Sequence, residues 1–505
     1  MFKLHRCSGQ NFAGCLLERL GEDSCLIDAA TGATTAASDL PRLIVGFAAG
    51  LRSDGLHPGD RLLVSCVLSP ASTIAYLGAM YAGVVPVPIE ERMLAGFGNQ
   101  LLALSSAKAV WTAEGTNCNW IKAPGANNQH VRLLEGMFPP IPPESLPPHP
   151  SVENELAVLM PTSGSTGRPR LVMVSHGNLK ANTEAIIRSQ NLGTDERAML
   201  IMPISYCFGA SVMHTHLYQG GGVVFDSHFM FPDKVLNAIN TYACTTLAGV
   251  PVIYNILLRR SHIRSIPLPG LRRFLQAGGA LAPDNIREMC EIVPTAEFLV
   301  MYGQTEATAR ISCLPSDRLH NKLGSAGLPL DNLEVRIVDE DSRELLEGEV
   351  GEIEVRGPSV CAGYLDDLRA TKCKFKDGWL RTGDFASRDQ DGFLWIKGRT
   401  DDFLKIRGLR VSVGEVETRV AAIPGVSECA ALGVKHAEAG EALALLVVPE
   451  NDAEECSAES VSEDFGDRVR RALPPHWTCS AVKIVAELPR TANGKIARSQ
   501  LQALL

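Results

Sequence analysis

The chain has 505 residues, too many for a single hydrophobic core, so we expect two or three domains. Its 45% hydrophobic and 21% charged residues are typical of a globular enzyme. A net charge of -9 argues against nucleic acid as the main partner, because binding a phosphate backbone needs a basic surface. A nucleotide substrate needs only a local site and stays open.

The N-terminal segment and the cysteines favour a cytoplasmic protein. Residues 1–12 lack the apolar core of a signal peptide. The longest apolar stretch, residues 71–89, is interrupted by polar residues, glycine and proline, so we expect no membrane span. The 14 cysteines are scattered without a CxxC pair, which indicates reduced thiols.

Short apolar runs alternate with segments of helical periodicity through the first two-thirds of the chain, which predicts an α/β domain. We predict strands at residues 61–67, 84–89, 155–160, 170–174 and 197–201, and helices at 72–82, from about 178, and at 284–293. In the last of these helices, Asp284 is expected to be the N-cap, and Pro294 to end the helix. Residues 139–150 are rich in proline and predict a surface connector.

The character of the sequence changes after about residue 324. Alternating and β-branched residues predict a β-rich subdomain over about 324–400, with strands at 333–339 and 350–357. Beyond a boundary near residues 399–402 we predict strands at 403–406, 428–434 and 442–448, and a helix from Ser412 to about Ala422. The predicted organisation is an N-terminal domain of residues 1–400 and a compact α+β domain of residues 401–505.

A loop rich in glycine and hydroxyl groups, residues 162–170 (TSGSTGRPR), lies between two predicted strands. Glycines let the backbone approach a ligand, and hydroxyl groups add donors, so the loop suits phosphate oxygens. The residues concerned are Thr162, Ser163, Gly164, Ser165, Thr166 and Gly167. A Walker loop is excluded because no Gly-Lys-Ser/Thr follows, but by itself the segment could equally be a flexible turn.

The loop resembles the phosphate loop of the adenylate-forming superfamily, which includes acyl-CoA synthetases, peptide-synthetase adenylation domains and luciferases. The family's loop usually ends in Pro-Lys, whereas this chain has Arg170, which keeps the charge but has a planar guanidinium. The resemblance implies a large N-terminal α/β domain with mixed sheets and a β-rich subdomain. It also implies a small, mobile α+β C-terminal domain.

Two further motifs of the family follow in order. Residues 301–306 (MYGQTE) match the family's YGxTE motif, and residues 277–280 (AGGA) resemble its glycine turn beside adenine. The resemblance implies adenine stacking by Tyr302, an α-phosphate contact by Thr305 and Mg²⁺ binding by Glu306. It also implies that Gly303 leaves room beside the reacting carboxylate, and that Gly278 and Gly279 flank adenine.

Four more segments resemble family motifs of the later chain. Residues 379–384 (WLRTGD) imply that Asp384 binds the ribose hydroxyls, and residues 398–402 (GRTDD) imply Arg399 near the ribose and Asp401 as the hinge. Residues 405–410 (KIRGLR) match the KxxGxR stretch, which assigns Lys405 and Gly408 to the thioester step. Residues 488–495 (LPRTANGK) imply that Lys495 bridges the substrate carboxylate and the α-phosphate.

The resemblance implies an ATP-dependent acid–thiol ligase. A carboxylate attacks the α-phosphorus, pyrophosphate leaves, and a thiol then takes the acyl group from the adenylate. No general base is needed, because a carboxylic acid is ionised at neutral pH. Mg²⁺ on Glu306, together with Lys495 and the loop N–H groups, would neutralise the developing negative charge. Rotation about Asp401 is expected to exchange Lys495 for the Gly408 face.

The acid pocket is expected from three segments, residues 204–211, 249–253 and 276–281. A mostly apolar lining for an aliphatic or aromatic acid is indicated by Tyr206, Cys207, Phe208, Val250 and Met301. Amino-acid-activating relatives carry an aspartate where this chain has Gly209, which disfavours an α-amino acid. A metal site at His214 and His216 is disfavoured because no third ligand has suitable spacing.

Coenzyme A is the preferred acceptor, and the phosphopantetheine arm of a separate carrier protein is the alternative. Oxidation of the adenylate, as in luciferases, also stays open. A protein of another class, which binds nucleotide without turnover, is compatible with Arg170, but the retained Glu306, Asp384 and Lys495 argue against it. The predicted partners are therefore a small carboxylic acid, ATP and a thiol supplied in trans.

Overall fold

The computed structural model describes residues 10–113, 131–163, 169–399, 403–406, 409–436, 440–449, 466–471, 473–474, 477–489, 496 and 498–505. The chain divides into two compact units. The first comprises Met1–Arg336, Glu354–Thr382 and Asp391–Leu394, and the second comprises Ile337–Ile353, Gly383–Gln390 and Trp395–Leu505. Several sheets and their helices confirm the predicted α/β fold class. The domain boundaries near residues 324 and 400 stay predictions.

Helices and strands alternate along most of the chain. The helices are α1 (Phe12–Leu17), α2 (Leu40–Ser53), α3 (Pro70–Tyr81), α4 (Glu91–Ser105), α5 (His176–Gln190), α6 (Cys207–Tyr218), α7 (Pro232–Thr241), α8 (Pro251–Arg260), α9 (Pro283–Ile292), α10 (Leu319–Lys322), α11 (Leu368–Lys374) and α12 (Val413–Ala421). Residues 466–471 are also helical, and a short helix spans Arg498–Leu501.

The strands of the first half are β1 (Cys25–Asp28), β2 (Thr34–Ala36), β3 (Arg61–Cys66), β4 (Val85–Glu90), β5 (Ala109–Thr112), β6 (Arg132–Glu135), β7 (Leu156–Ser163), β8 (Pro169–Ser175), β9 (Arg197–Leu200), β10 (Gly222–Phe225) and β11 (Thr246–Gly249). Those of the second half are β12 (Arg273–Gln276), β13 (Glu297–Tyr302), β14 (Ser312–Leu314), β15 (Leu328–Pro329), β16 (Glu334–Val338), β17 (Gly351–Arg356), β18 (Phe375–Lys376), β19 (Trp379–Arg388), β20 (Leu394–Arg399), β21 (Phe403–Ile406), β22 (Leu409–Ser412), β23 (Val426–His436), β24 (Gly440–Pro449) and β25 (Cys479–Ile484).

The largest sheet has nine strands in the order β15-β14-β13-β12-β11-β9-β10-β1-β2. Its six central strands, from β13 to β1, are parallel, and antiparallel strands extend both edges. Val223 and Val224 of β10, like Leu247 and Ala248 of β11, are fully buried. Burial of consecutive residues is typical of a parallel sheet covered on both faces. The carboxyl ends of the parallel strands therefore share one edge.

A second, wholly parallel sheet has the order β4-β3-β5-β6, and β7 pairs with β8 as an antiparallel hairpin. The predicted strand, helix and strand at 61–67, 72–82 and 84–89 correspond to β3, α3 and β4, which confirms them to within two residues. Helix α3 begins early because Ser69 caps it, accepting from the Ser72 N–H at 3.3 Å, with Pro70 in the first turn.

One cap was predicted wrongly. The N-cap of α9 is Ala282, and Asp284 lies inside the first turn. Pro283 explains the difference, because its fixed φ and missing N–H suit the first helical position and move the start forward. The acidic Asp284 there interacts favourably with the helix dipole instead.

The later chain is rich in strands. Strands β16 to β20 form a five-stranded sheet with the order β16-β17-β19-β18, and β20 pairs with β19. A last sheet has the order β22-β21-β24-β23, with β25 parallel to β24. Helix α12 packs on it through a core that includes Val416, Leu445 and Trp477.

Helices that combine the length and the apolar character needed to cross a membrane are absent from the described part of the chain.

Candidate active site

Four predicted segments meet at the carboxyl edge of the large parallel sheet. Strands β9, β11, β12 and β13 are neighbours there, and each is followed by one of the segments. These carry Tyr206 to Phe208, Val250, Gly278 with Gly279, and Tyr302 to Glu306. In open α/β sheets, ligands bind outside this edge, so the topology brings the predicted adenine, phosphate and acyl residues to the edge where a ligand would bind.

Gly278 shows how tightly these segments approach one another. Its φ of +84° is favourable only for glycine. A Cβ atom on it would lie 2.7 Å from Tyr206 Oη and 3.0 Å from Val250 Cγ1. The glycine turn and two predicted pocket residues are therefore in direct contact.

The loop after β13 folds back on itself. Thr305 and Glu306 lie in a 3₁₀ turn, and Tyr302 to Glu306 are all half-buried. A Cβ atom on Gly303 would overlap the carbonyl oxygen of Ala309, so only glycine fits. Thr308 adopts a φ of +68°, and its hydroxyl donates to the Ser359 carbonyl at 2.7 Å. This hydrogen bond holds a conformation that β-branched residues rarely adopt.

A hydrogen bond from Tyr364 orients the Glu306 carboxylate. The Tyr364 hydroxyl donates to Glu306 Oε1 at 2.6 Å, and burial together with the adjacent Glu306 charge raises the pKa of Tyr364. Among the described residues, no basic side chain forms an ion pair with Glu306. The neighbouring Thr305 hydroxyl donates to Cys207 Sγ at 3.4 Å. A half-buried carboxylate without a cationic partner, beside a hydroxyl, fits Mg²⁺, which prefers oxygen ligands.

Arg170 contacts the same tyrosine. Its guanidinium lies 5.4 Å from the ring centroid of Tyr364 and its Nε is 3.2 Å from Asp367 Oδ2. Two backbone hydrogen bonds join β8 to this segment: the Met173 N–H donates to the Gly363 carbonyl, and the Leu365 N–H donates to the Leu171 carbonyl, each at 2.9 Å. The arginine that replaces the usual lysine is therefore part of the cluster that orients Glu306.

Helix α6 begins within the predicted acyl pocket, with Tyr206 as its N-cap and Cys207 and Phe208 in the first turn. Burial raises the pKa of Tyr206 to about 12 and also raises the pKa of Cys207, so both stay protonated at neutral pH. A Cβ atom on Gly209 would overlap the Pro203 carbonyl oxygen and lie 2.9 Å from the Met202 carbonyl oxygen. Glycine is therefore required at this position by packing, whatever the substrate.

The two histidines of α6 belong to the core. His214 stacks on Tyr76 with ring centroids 5.7 Å apart, and His216 Nδ1 lies 2.9 Å from the Val212 carbonyl oxygen. Burial lowers the pKa of His214 to about 3 and that of His216 to about 4. In the described ranges, no group of three or more histidine, cysteine or acidic side chains is arranged to hold a metal ion.

Asp384 and Arg399, the predicted ribose residues, lie in the second compact unit and contact each other. Arg399 Nε is 3.0 Å from Asp384 Oδ1, and only 7% of the Asp384 surface is exposed. The preceding Gly383 N–H donates to Glu352 at 3.1 Å. The strand β19 thus presents a fixed carboxylate with a cation attached to one of its oxygens.

Comparison with protein families gives the same assignment as the motifs. Residues 17–365 match the model of the AMP-binding enzymes. The chain belongs to the AMP-binding enzyme family. Residues 415–495 match the C-terminal domain of the AMP-binding enzymes. The predicted membership of the adenylate-forming superfamily is confirmed.

Curated relatives and solved structures span nearly the whole chain. A feruloyl-CoA synthase from an Amycolatopsis species is 31% identical over 474 residues, covering 92% of this chain and 93% of the relative. A 3-hydroxybenzoate–CoA ligase from Aromatoleum sp. (strain CIB) is 28% identical, covering 99% and 98%. The crystal structure of ATP-bound MatB from Rhodopseudomonas palustris is 27% identical, with a TM-score of 0.85 and coverage of 98% and 99%. The prediction of an AMP-forming acyl-CoA ligase is confirmed.

Several predicted site residues of this AMP-binding enzyme lie outside the described residues, namely Gly164, Ser165, Thr166, Gly167, Asp401, Gly408 and Lys495. Thr162 and Ser163 end strand β7, where Thr162 pairs with Arg170. Lys405 lies in β21 and pairs with Arg410 of β22. The roles of all these residues stay predictions.

Arg310 of this AMP-binding enzyme was not singled out from the sequence. Its guanidinium lies 5.2 Å from the ring centroid of Phe208 and contacts Met301 Sδ, so it adjoins two predicted pocket residues. Only 2% of its surface is exposed. The available signal was that Arg310 is the one charged residue between Glu306 and Asp317.

Proposed function

We propose that the carboxyl edge of the nine-stranded sheet adenylates a carboxylic acid with ATP, and that the acyl group then passes to coenzyme A. The arrangement of Glu306 is the observation that carries the proposal. The Tyr364 hydroxyl donates a 2.6 Å hydrogen bond to the Glu306 carboxylate. Among the described residues, this carboxylate has no cationic partner. A carboxylate that is oriented but not paired with a cation contributes little to the stability of the fold, and it can bind the metal ion of a metal–nucleotide complex.

In the first half-reaction, a carboxylate oxygen of the acid forms a bond to the α-phosphorus, and the bond to the bridging oxygen of pyrophosphate breaks. Tyr302 stacks on adenine beside the Gly278 turn, and the Thr305 hydroxyl donates to the α-phosphate. Lys495 bridges the acid and the α-phosphate, which lowers the repulsion between two anions. Mg²⁺, when bound by Glu306, supplies further positive charge to the phosphate oxygens.

In the second half-reaction, the thiol sulfur attacks the acyl carbonyl carbon, its proton passes to solvent, and AMP leaves with the bonding electron pair. Rotation of the C-terminal domain about Asp401 removes Lys495 and brings in the Gly408 face. The described cysteines other than Cys15 are free thiols, which supports a cytoplasmic location for the reaction.

The acid belongs to the aliphatic or aromatic class rather than the α-amino acids. Tyr206, Phe208, Val250 and Met301 supply apolar and aromatic surface. Packing against the Pro203 carbonyl leaves no room at Gly209 for an aspartate that could pair with an α-ammonium group. The names of the feruloyl-CoA and hydroxybenzoate relatives support an aromatic acid in particular.

The test is acid-dependent ATP–pyrophosphate exchange with a panel of aliphatic, aromatic and amino acids. We expect exchange with one acid class and a loss of at least about 100-fold in Lys495→Ala, because a charge on the transition state is removed. Lys483→Ala is the matched control, since Lys483 is an exposed lysine of the same compact unit. Equal exchange by both variants would remove Lys495 from the mechanism.

The acceptor is tested with the same acid. Coenzyme A and a pantetheinylated carrier protein are offered separately, and thioester formation is followed by mass spectrometry. We expect acyl-CoA to form. Loading of the carrier protein alone would overturn coenzyme A as the acceptor while leaving adenylation intact.

A further inference from the structure

The backbone of Arg310 is held in place by Asn182 and lies against Gly303. Its N–H donates to Asn182 Oδ1 at 3.3 Å, and its carbonyl accepts from Asn182 Nδ2 at 2.9 Å. A Cβ atom on Gly303 would lie 2.9 Å from the Arg310 Cα atom. The backbone position of Arg310 is therefore fixed by Asn182 of helix α5 and by close packing against Gly303, the glycine next to Tyr302.

The Arg310 side chain lies among predicted acyl-pocket residues. The guanidinium faces the Phe208 ring at 5.2 Å and contacts Met301 Sδ. Gln190 Nε2 donates to the same sulfur at 3.3 Å. Aromatic, thioether and amide groups attract a cation only weakly compared with a carboxylate.

The charge on Arg310 is not neutralised by its neighbours. Burial lowers its pKa to about 10, so it is still protonated at pH 7. The titratable groups that act on it are Cys313, Cys207 and Tyr206, and the raised pKa of each keeps it neutral. Within the described part of the chain, no carboxylate forms an ion pair with Arg310.

Another buried arginine, Arg273 of strand β12, is paired with a carboxylate, as buried arginines usually are. Arg273, with 6% of its surface exposed, lies at the opposite edge, where its Nη1 is 2.5 Å from Glu196 Oε1. A buried charge without a partner is strongly unfavourable, and buried charges in proteins are paired or coordinate metals. Arg310 therefore points to a ligand that carries an anion.

We propose that Arg310 selects a carboxylic acid that carries a second carboxylate, a dicarboxylic acid, by pairing with the carboxylate that does not react. This inference rests on the proposed adenylation and deepens it. In this proposal the reacting carboxylate lies at Thr305. The Thr305 hydroxyl contacts Cys207, and the Arg310 guanidinium contacts Phe208, the next residue of α6. Two adjacent residues of one helix thus separate the reacting end of the acid from its anionic end.

The test compares matched acid pairs that differ only in the second carboxylate: hexanoate with adipate, and cinnamate with 4-carboxycinnamate. The readout is kcat/KM for ATP–pyrophosphate exchange. We expect the wild-type enzyme to favour the diacid of at least one pair by about 100-fold or more, because a site built to bind a polar group rejects analogues that lack it. Arg310→Met should bring that ratio below one. Arg310→Lys should give an intermediate ratio, since it keeps the charge but loses the planar fork.

Thermal unfolding without ligand supplies a readout that does not depend on activity. Arg310→Met should raise Tm by a few degrees, because it replaces an unpaired buried charge with an apolar side chain of similar length. The control Arg273→Met should lower Tm and keep the selectivity ratio, because it removes the nearer of the two guanidinium groups that pair with the buried Glu196 and leaves only Arg272 at 3.7 Å.

The outcomes separate the inference from the function on which it rests. Preference of the wild-type enzyme for the neutral acid of both pairs overturns the inference while adenylation stands. A lower Tm with an unchanged ratio in Arg310→Met identifies a purely structural arginine and also overturns it. If no acid of either kind supports exchange, the proposed function fails and the inference with it.

Discussion

Replacing Tyr364 by phenylalanine removes one hydroxyl and leaves the ring beneath Arg170 in place. The lost interaction is the 2.6 Å hydrogen bond from Tyr364 to Glu306 Oε1, and only 5% of the tyrosine surface is exposed. A hydrogen bond to a charged group contributes about 1.5–3 kcal/mol net. At about 1.4 kcal/mol for each factor of ten, its loss corresponds to roughly 10- to 150-fold.

We expect this loss to affect the use of Mg²⁺. Groups that orient a metal ligand typically change metal affinity or activity by about 10- to 100-fold when removed. The assay is ATP–pyrophosphate exchange as a function of Mg²⁺ concentration, accompanied by Mn²⁺ binding measured by electron paramagnetic resonance. Tyr364→Phe should need more metal for half-maximal exchange and bind Mn²⁺ more weakly in the presence of ATP.

A second buried tyrosine provides the control. Tyr254 lies in helix α8, and its hydroxyl donates to the backbone carbonyl of Leu275 at 2.8 Å rather than to a carboxylate. Tyr254→Phe should reduce stability slightly and leave the metal dependence unchanged. If Tyr364→Phe behaved in the same way as Tyr254→Phe, the assignment of Tyr364 as the residue that positions Glu306 would be refuted.

Three further predictions concern charge and packing. Arg170→Lys should change stability by less than about 1 kcal/mol in urea unfolding and exchange by less than about tenfold, because its ion pair is partly exposed. Gly209→Asp should destabilise the fold by about 1–3 kcal/mol through the clash with Pro203, without any gain of amino-acid-dependent exchange. Burial disfavours protonation of His214 and His216 in the folded protein, so below pH 6.5 the unfolded chain binds more protons than the folded one. The free energy of unfolding should therefore fall as the pH is lowered from about 6.5 to about 4.

Each of these has a contrary outcome. A large loss of exchange in Arg170→Lys would mean that the guanidinium contacts the nucleotide directly. Exchange with an amino acid by Gly209→Asp would show that the pocket can repack around an added carboxylate. For the histidines, each should cost about 2 kcal/mol at pH 5, and His214→Phe should flatten the dependence of Tm on pH. An unchanged slope would remove His214 as a cause.

The fold was predictable where local signals agreed with one another. Strands β3 and β4 are apolar runs bounded by turns, and the helix between them has a serine cap, so periodicity located all three. The start of α5 was placed near Asn178, but the helix begins at His176 because Ser175 and Asn178 form a capping box. The prediction identified the helix and missed the reciprocal side-chain contacts that fix its first residue.

The site was predictable only in part, for a different reason. The motif residues around Gly278 follow from the resemblance, but their contact with Tyr206 and Val250 depends on the strand order of the sheet, which local patterns do not contain. The partner of Glu306 is 58 residues away along the chain. Arg310 could be seen as the one charged residue between Glu306 and Asp317, but its contacts depend on how the loop after β13 folds back against Gly303.

The double hydrogen bond from Asn182 to the backbone of Arg310 has a thermodynamic consequence. Helix α5, which carries Asn182, starts immediately after strand β8, so one amide joins this helix to the residue that we propose binds the acid. If ATP shifts this helix, the affinity for the acid changes by some factor. Linkage then requires the acid to change the affinity for ATP by the same factor. The two substrates of the first half-reaction would therefore share a coupling free energy, measurable by titrating each in the presence of the other.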